Sequence, residues 1–82
     1  MRAVILYTRP GCHLCDEARD AIGRLRAELP PFELREVDIA CDDALHSRFL
    51  ERIPVVEVDG AVVSELVFEP SRLRASLDTV RP

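Results

Sequence analysis

The sequence predicts an α/β domain of order β-α-β-α-β-β-α, with a four-stranded mixed sheet and helices on both faces, and three observations lead there. A near-continuous apolar run, Ala3-Val4-Ile5-Leu6, passes at once into a long stripe of helical period. Pro30-Pro31 closes that stripe just ahead of a second β-rich run. Asp59-Gly60, the pair that favours a two-residue turn of positive φ, sits between two further valine-rich runs. The 82 residues suffice for one small domain, 1–82, with no linker, repeat or low-complexity tract to divide it.

Taken in order, Ala3 to Thr8 is apolar without alternation, as in a strand covered on both faces. Pro10 and Gly11 break it. From Cys12 to about Leu29 the apolar residues fall at Leu14, Ala18, Ala21, Ile22, Leu25 and Leu29, with charges on the other positions, which predicts the long first helix. Phe32 to Ile39 reads as the second strand. A helix between them makes strands one and two parallel, so both end on the same sheet edge. Asp42 or Asp43 can cap a short helix through Ala44, Leu45, Phe49 and Leu50. Pro54 falls at the start of the third strand, where a missing N–H is tolerated, and Pro70-Ser71 opens a last helix with Leu73 and Leu77 on one side.

Composition narrows the function. With 48% hydrophobic and 32% charged residues the chain has the make-up of a folded globular domain. A net charge of -4, with arginines scattered rather than clustered, argues against nucleic acid as a partner. No apolar stretch approaches a membrane span, and Ala3–Leu6 is too short for a signal peptide's apolar core; we expect a cytoplasmic monomer. Three cysteines do not form a disulfide scaffold, so a Cys-x-x-Cys pair beside a βα junction points to redox or metal chemistry.

That pair is Cys12-His13-Leu14-Cys15. The first amides of a helix lack intrahelical partners and its dipole is positive there, so a Cys12 sulfur facing that end is favoured as the thiolate, the nucleophilic form. Cys15, nearly one turn on, can attack a mixed disulfide formed at Cys12 and release the reduced product. Cys12 is thus the expected nucleophile and Cys15 the resolving thiol.

The Cys-x-x-Cys after the first strand, Ile53-Pro54 before the third, and the element order together resemble the thioredoxin fold in its minimal, glutaredoxin-like form. The resemblance covers almost the whole chain. It implies a thiol–disulfide oxidoreductase acting on protein or glutathione disulfides, with no bound cofactor and with glutathione as a candidate cosubstrate. It also implies that the Ile53–Pro54 bond is cis and that Pro54 shapes the substrate groove. The Ile53 backbone would pair with an extended substrate as an added strand. Arg9 stands where glutaredoxins commonly place a lysine for a carboxylate, a role a guanidinium suits. The chain departs from glutaredoxins in carrying His13-Leu14 between the cysteines. It also has Ser64-Glu65-Leu66-Val67-Phe68 where they have a Gly-Gly and an acidic pair.

Other readings stand beside these. The two cysteines could form half of a zinc site completed by Cys41, His13 or His46. They could also belong to a copper-type metallochaperone, although its order is β-α-β-β-α-β. A non-catalytic module would hold a metal, an iron–sulfur cluster or a partner protein in the same groove. Cys41 is expected as a small buried or capping residue at the end of strand two, or else as a third thiol exchanging with the pair. His13 either faces water or tunes Cys12, since an imidazolium beside it favours the thiolate. His46 is expected on the solvated surface, and Tyr7 in the strand packing with its hydroxyl toward solvent.

Overall fold

The computed structural model describes residues 2–77. The elements are β1 (Arg2–Thr8), α1 (His13–Leu25), β2 (Phe32–Asp38), a 3-10 turn (Ile39–Cys41), α2 (Asp43–Phe49), β3 (Val55–Val58), β4 (Ala61–Ser64) and α3 (Pro70–Leu77). The strands lie in the order β2-β1-β3-β4. β1 and β2 run parallel, and β3 is antiparallel to both β1 and β4. This is the predicted mixed sheet.

β1 lies inside the sheet, and its alternation sorts the core into two layers. Val4 and Leu6 pack with Val56 and Val58 of β3 against Ala18, Ile22 and Leu25 of α1 and Leu73 and Leu77 of α3. Tyr7, with Ile5 beside it, points the other way, where Val55, Ile39 and Phe49 form the second cluster beneath α2. Apolar side chains are therefore buried on both faces, which explains the unbroken apolar run in β1. The Asp59-Gly60 turn adopts positive φ at both residues, 50° and 92°, as a two-residue hairpin requires. Asp59 also ties this turn to the start of β1, accepting the Ala3 N–H at 2.9 Å and pairing with Arg2.

Several expectations need correction. α1 ends at Leu25 rather than Leu29. The next residues continue as tighter turns, with the Glu28 and Leu29 N–H groups both donating to the Leu25 carbonyl. Pro30 disfavours helical geometry at Leu29, and the chain must reverse into β2. Arg26 secures the reversal, its guanidinium lying over the Phe32 ring and donating to the Phe32 carbonyl. β2 stops at Asp38, because its side chain accepts the Ala40 N–H at 2.8 Å and starts the 3-10 turn at Ile39. The expected cap of α2 holds, and of its two candidates Asp42 takes the role, accepting from the Ala44 and Leu45 N–H groups. Pro54 precedes β3 instead of opening it.

Thr8 and Asp38 are register partners at the ends of the parallel pair, so the Cys12 turn and the 3-10 turn leave from the same sheet edge. Cys41 occupies the latter. It is exposed, carries no disulfide, and its sulfur lies 3.8 Å from the Asp38 carboxylate, so of the roles expected for it burial does not hold. His46 is half-buried on α2 rather than fully solvated.

Candidate active site

Arg9-Pro10-Gly11-Cys12 forms a tight turn closed by the Cys12 N–H donating to the Arg9 carbonyl at 3.3 Å. Proline pre-sets its second position, and Gly11 takes φ 82° at the third, a geometry that glycine adopts without strain. The turn delivers Cys12 as the N-cap of α1, in extended backbone geometry. The Asp16 N–H donates to the Cys12 carbonyl at 3.1 Å to begin the helix, and the Cys15 N–H donates to the Cys12 sulfur at 3.2 Å. One orphan amide of the first turn thus points at sulfur, at the positive end of the helix dipole.

Cys12 and Cys15 are joined by a disulfide with their Cα atoms 5.2 Å apart. Their exposures differ. Cys15 opens the buried stripe that continues through Ala18, Ile22 and Leu25 and is completely inaccessible, whereas Cys12 is partly open to solvent. Cys12 shares a hollow of about 340 Å³ with Arg9, Pro10, Gly11 and Ile53. Arg9, Cys12 and Ile53, singled out in the sequence, are therefore brought together. The Ile53–Pro54 bond is cis; Ile53 lines the hollow, whereas the fully buried Pro54 does not. His13 is the exposed first residue of α1 and does not line the hollow.

The charge around the helix start is organised. Arg19 donates to Asp16 at 2.8 Å and also pairs with Glu36 of β2. Glu36 first, then Asp16, push the Arg19 pKa up, and Arg19 in turn offsets the Asp16 charge nearest the cysteines. Among the described residues Arg9 has no ion-pair partner. Among the described residues, and with Cys12 and Cys15 joined as a disulfide, no group of three or more His, Cys, Asp or Glu side chains gathers as a metal site would require.

Beneath Ile53 lies a support that the sequence did not reveal. The Phe49 carbonyl accepts the N–H groups of Arg52 at 2.7 Å and Ile53 at 3.0 Å. Its ring is fully buried against Tyr7, centroids 4.7 Å apart, with the guanidinium groups of Arg48 and Arg52 over it. Arg52 pairs with Glu65 through two nitrogens, and its carbonyl accepts the Leu66 N–H at 2.9 Å. That pair lowers the Glu65 pKa. Ser64, buried, accepts the Glu69 N–H and donates to the Val67 carbonyl, folding the segment after β4 back on itself. Leu66 sits at φ 66°, a conformation that costs a leucine on the order of 1 kcal/mol. The backbone takes a glycine-like geometry here but carries a side chain. Only the position of Arg52, directly ahead of Ile53-Pro54, hinted at its role; its partner lies on the far side of a hairpin.

Tyr7 corrects another expectation. Its hydroxyl does not face solvent but donates to Glu57 Oε1 at 3.1 Å. Burial, then the Glu57 hydrogen bond, raise its pKa above the ordinary 10.0. The folded state thus favours the neutral phenol. Its contribution to stability is present below the unfolded value and is lost as pH rises through the raised folded value. Because the chain has one tyrosine and no tryptophan, tyrosinate absorbance reports this group alone. We expect its midpoint above that of the urea-unfolded chain, and Glu57→Gln should move it back toward that value. Identical midpoints in the folded and unfolded chains would show the contact to be absent.

Fold and site together define a thioredoxin-fold protein with a Cys-x-x-Cys disulfide at the start of its first helix. The chain belongs to the glutaredoxin-like domain family (DUF836), whose model matches residues 3–78. Among solved structures it is similar to protein XcR50 of X. campestris, 38% identical with a TM-score of 0.73, the match covering 95% of this chain and 99% of that one. It is also similar to protein Ne2328 of Nitrosomonas europaea, 25% identical with a TM-score of 0.83, covering 94% and 92%. A mutant thioredoxin from Halobacterium salinarum shares the fold, at 21% identity and a TM-score of 0.64, covering 99% of this chain and 78% of that one.

Proposed function

We propose that the protein is a dithiol–disulfide oxidoreductase in which Cys12 attacks and Cys15 resolves. The observation that carries this reading is the asymmetry of the pair. Cys12 is accessible, opens onto the hollow with Arg9 and Ile53, and receives a helix-start N–H, whereas Cys15 is sealed in the core one turn away. An incoming disulfide can reach only the first of them.

In the reduced protein the Cys12 thiolate attacks one sulfur of a substrate disulfide, forming a mixed disulfide and expelling the other sulfur as a thiolate, which takes up a proton. Cys15 then gives up its proton and attacks the Cys12 sulfur. The Cys12–Cys15 bond forms, the mixed disulfide breaks, and the substrate leaves fully reduced. A thiol reductant, such as two molecules of glutathione or an external dithiol, returns the pair to the reduced state and is itself oxidised. No bound cofactor takes part. Ile53 offers its backbone to an extended substrate, Pro54 fixes its placement, and Arg9 offers its charge to a substrate carboxylate. His13, beside Cys12 in sequence, tunes the pair. We place the protein in the cytoplasm as a monomer whose partners are disulfide-containing proteins or glutathione.

Cys15→Ser provides the test. When the reduced variant is mixed with a peptide disulfide, intact mass should show it stalled as a mixed disulfide on Cys12, while the parent proceeds to the internal disulfide and frees both peptide thiols. A Cys15→Ser variant that forms no adduct, or forms it on Cys41, would overturn the assignment.

A further inference from the structure

Few large apolar side chains remain exposed among the described residues, and two of them face one another beside the cysteines. Leu14, lying between Cys12 and Cys15, is 44% exposed, and Val67, in the segment after β4, is 62% exposed. They stand on opposite walls of a groove of about 410 Å³, with Ala18 and Ala21 of α1 continuing one wall and Phe68 the other. The groove therefore starts at Leu14, the residue ahead of Cys15, and runs along α1, sharing no lining residue with the hollow that holds Cys12, Arg9 and Ile53.

Charge adds a second character to it. Glu17 and Asp20 line the groove, both exposed, and among the described residues neither is ion-paired. The nearer acid, Asp16, is already occupied by Arg19. Arg24, one turn beyond Asp20, lines the far end and confines the negative stretch to the part nearest the cysteines. An apolar floor with unpaired carboxylates on its rim complements an apolar side chain followed by a cation. The dimensions suit a peptide: the rise from Cys12 to Asp20 along α1 is about 12 Å. About four residues of extended chain span that distance.

We propose that this groove docks an extended segment of a protein substrate, seating an apolar side chain between Leu14 and Val67 and a lysine or arginine against Glu17 and Asp20. The proposal rests on the dithiol–disulfide function given above, because a substrate cysteine at Cys12 sets the register of the segment. It selects among protein disulfides those with an apolar residue near the cysteine and a basic one just beyond.

The test separates docking from chemistry. Three fluorescent peptides carry serine in place of the cysteine, followed at alternate positions by Leu and Lys, by Ser and Lys, or by Leu and Glu. Their binding to the oxidised protein is read by fluorescence anisotropy. The Leu–Lys peptide should bind about tenfold more tightly than either control. Asp20→Arg should reverse the order of the Lys and Glu peptides, and Val67→Ser should reduce the Leu–Lys peptide to the level of the Ser–Lys one. Both substitutions are at exposed positions, and circular dichroism confirms that the variants fold. Equal binding of the three peptides, or an order unchanged by both variants, overturns the proposal. Reduction of hydroxyethyl disulfide by the reduced protein is measured alongside. Turnover without peptide discrimination removes the groove alone; peptide discrimination without turnover upholds the groove and removes the redox function.

Discussion

Cys12→Ser is expected to abolish disulfide reduction, lowering kcat/KM by on the order of a thousandfold or more, since a neutral hydroxyl is a poor nucleophile toward sulfur. The loss should be chemical rather than structural. Cys12 caps α1 by accepting the Cys15 N–H, and serine is among the preferred residues for that position. Thermal unfolding of the variant should therefore match that of the reduced parent. Kinetics with hydroxyethyl disulfide, read beside thermal denaturation of reduced protein, check both halves. A variant that retains a tenth of the parent rate would mean that another thiol, Cys41 or Cys15, starts the reaction.

Phe49→Ala is expected to cost about 3–5 kcal/mol, the usual range for deleting a fully buried aromatic ring. Phe49 is inaccessible to solvent and anchors the smaller core layer between Tyr7 and the two arginines. In a domain whose total stability is on the order of 5–15 kcal/mol, that is a large fraction. The effect should reach the site as well, because the Phe49 carbonyl holds the Ile53 N–H, and Ile53 lines the hollow at Cys12. Phe49→Leu keeps most of the apolar contact and should cost less than half as much. Urea unfolding of the two variants gives the comparison. If Phe49→Ala lost less than about 1 kcal/mol, the second core layer would not be packed as described.

The fold was largely legible because its main features are local. The apolar run of β1, the stripe of α1, the Pro30-Pro31 stop and the Asp59-Gly60 hairpin each depend on neighbours within a few residues, and the parallel pairing of β1 with β2 follows from the helix between them. The boundaries were less legible. Asp38 ends β2 through a side-chain contact to Ala40 that no alternation pattern registers. At the site, the cysteine pair followed from its spacing at the helix start, while Arg9 and Ile53 were pointed to by the resemblance to glutaredoxins. The Tyr7–Glu57 bond, the Arg52–Glu65 pair and the packing of the Phe49 ring on Tyr7 could not be foreseen, since each joins residues far apart in the chain that meet only once the fold has formed. Cys41 misled for a related reason. A lone cysteine reads as a small apolar residue, but the 3-10 turn that Asp38 initiates carries it out to the surface.

Cys12 and Cys15 are proposed to form a redox couple in which Cys12 reacts first. Equilibrating the protein across glutathione redox buffers and reading intact mass for the parent, Cys12→Ser and Cys15→Ser tests this most directly. A glutathione adduct on Cys12 should accumulate in Cys15→Ser, be absent from this pair in Cys12→Ser, and give way to the internal disulfide in the parent. A Cys12 that stays unmodified in Cys15→Ser while Cys15 of Cys12→Ser takes up glutathione would contradict it.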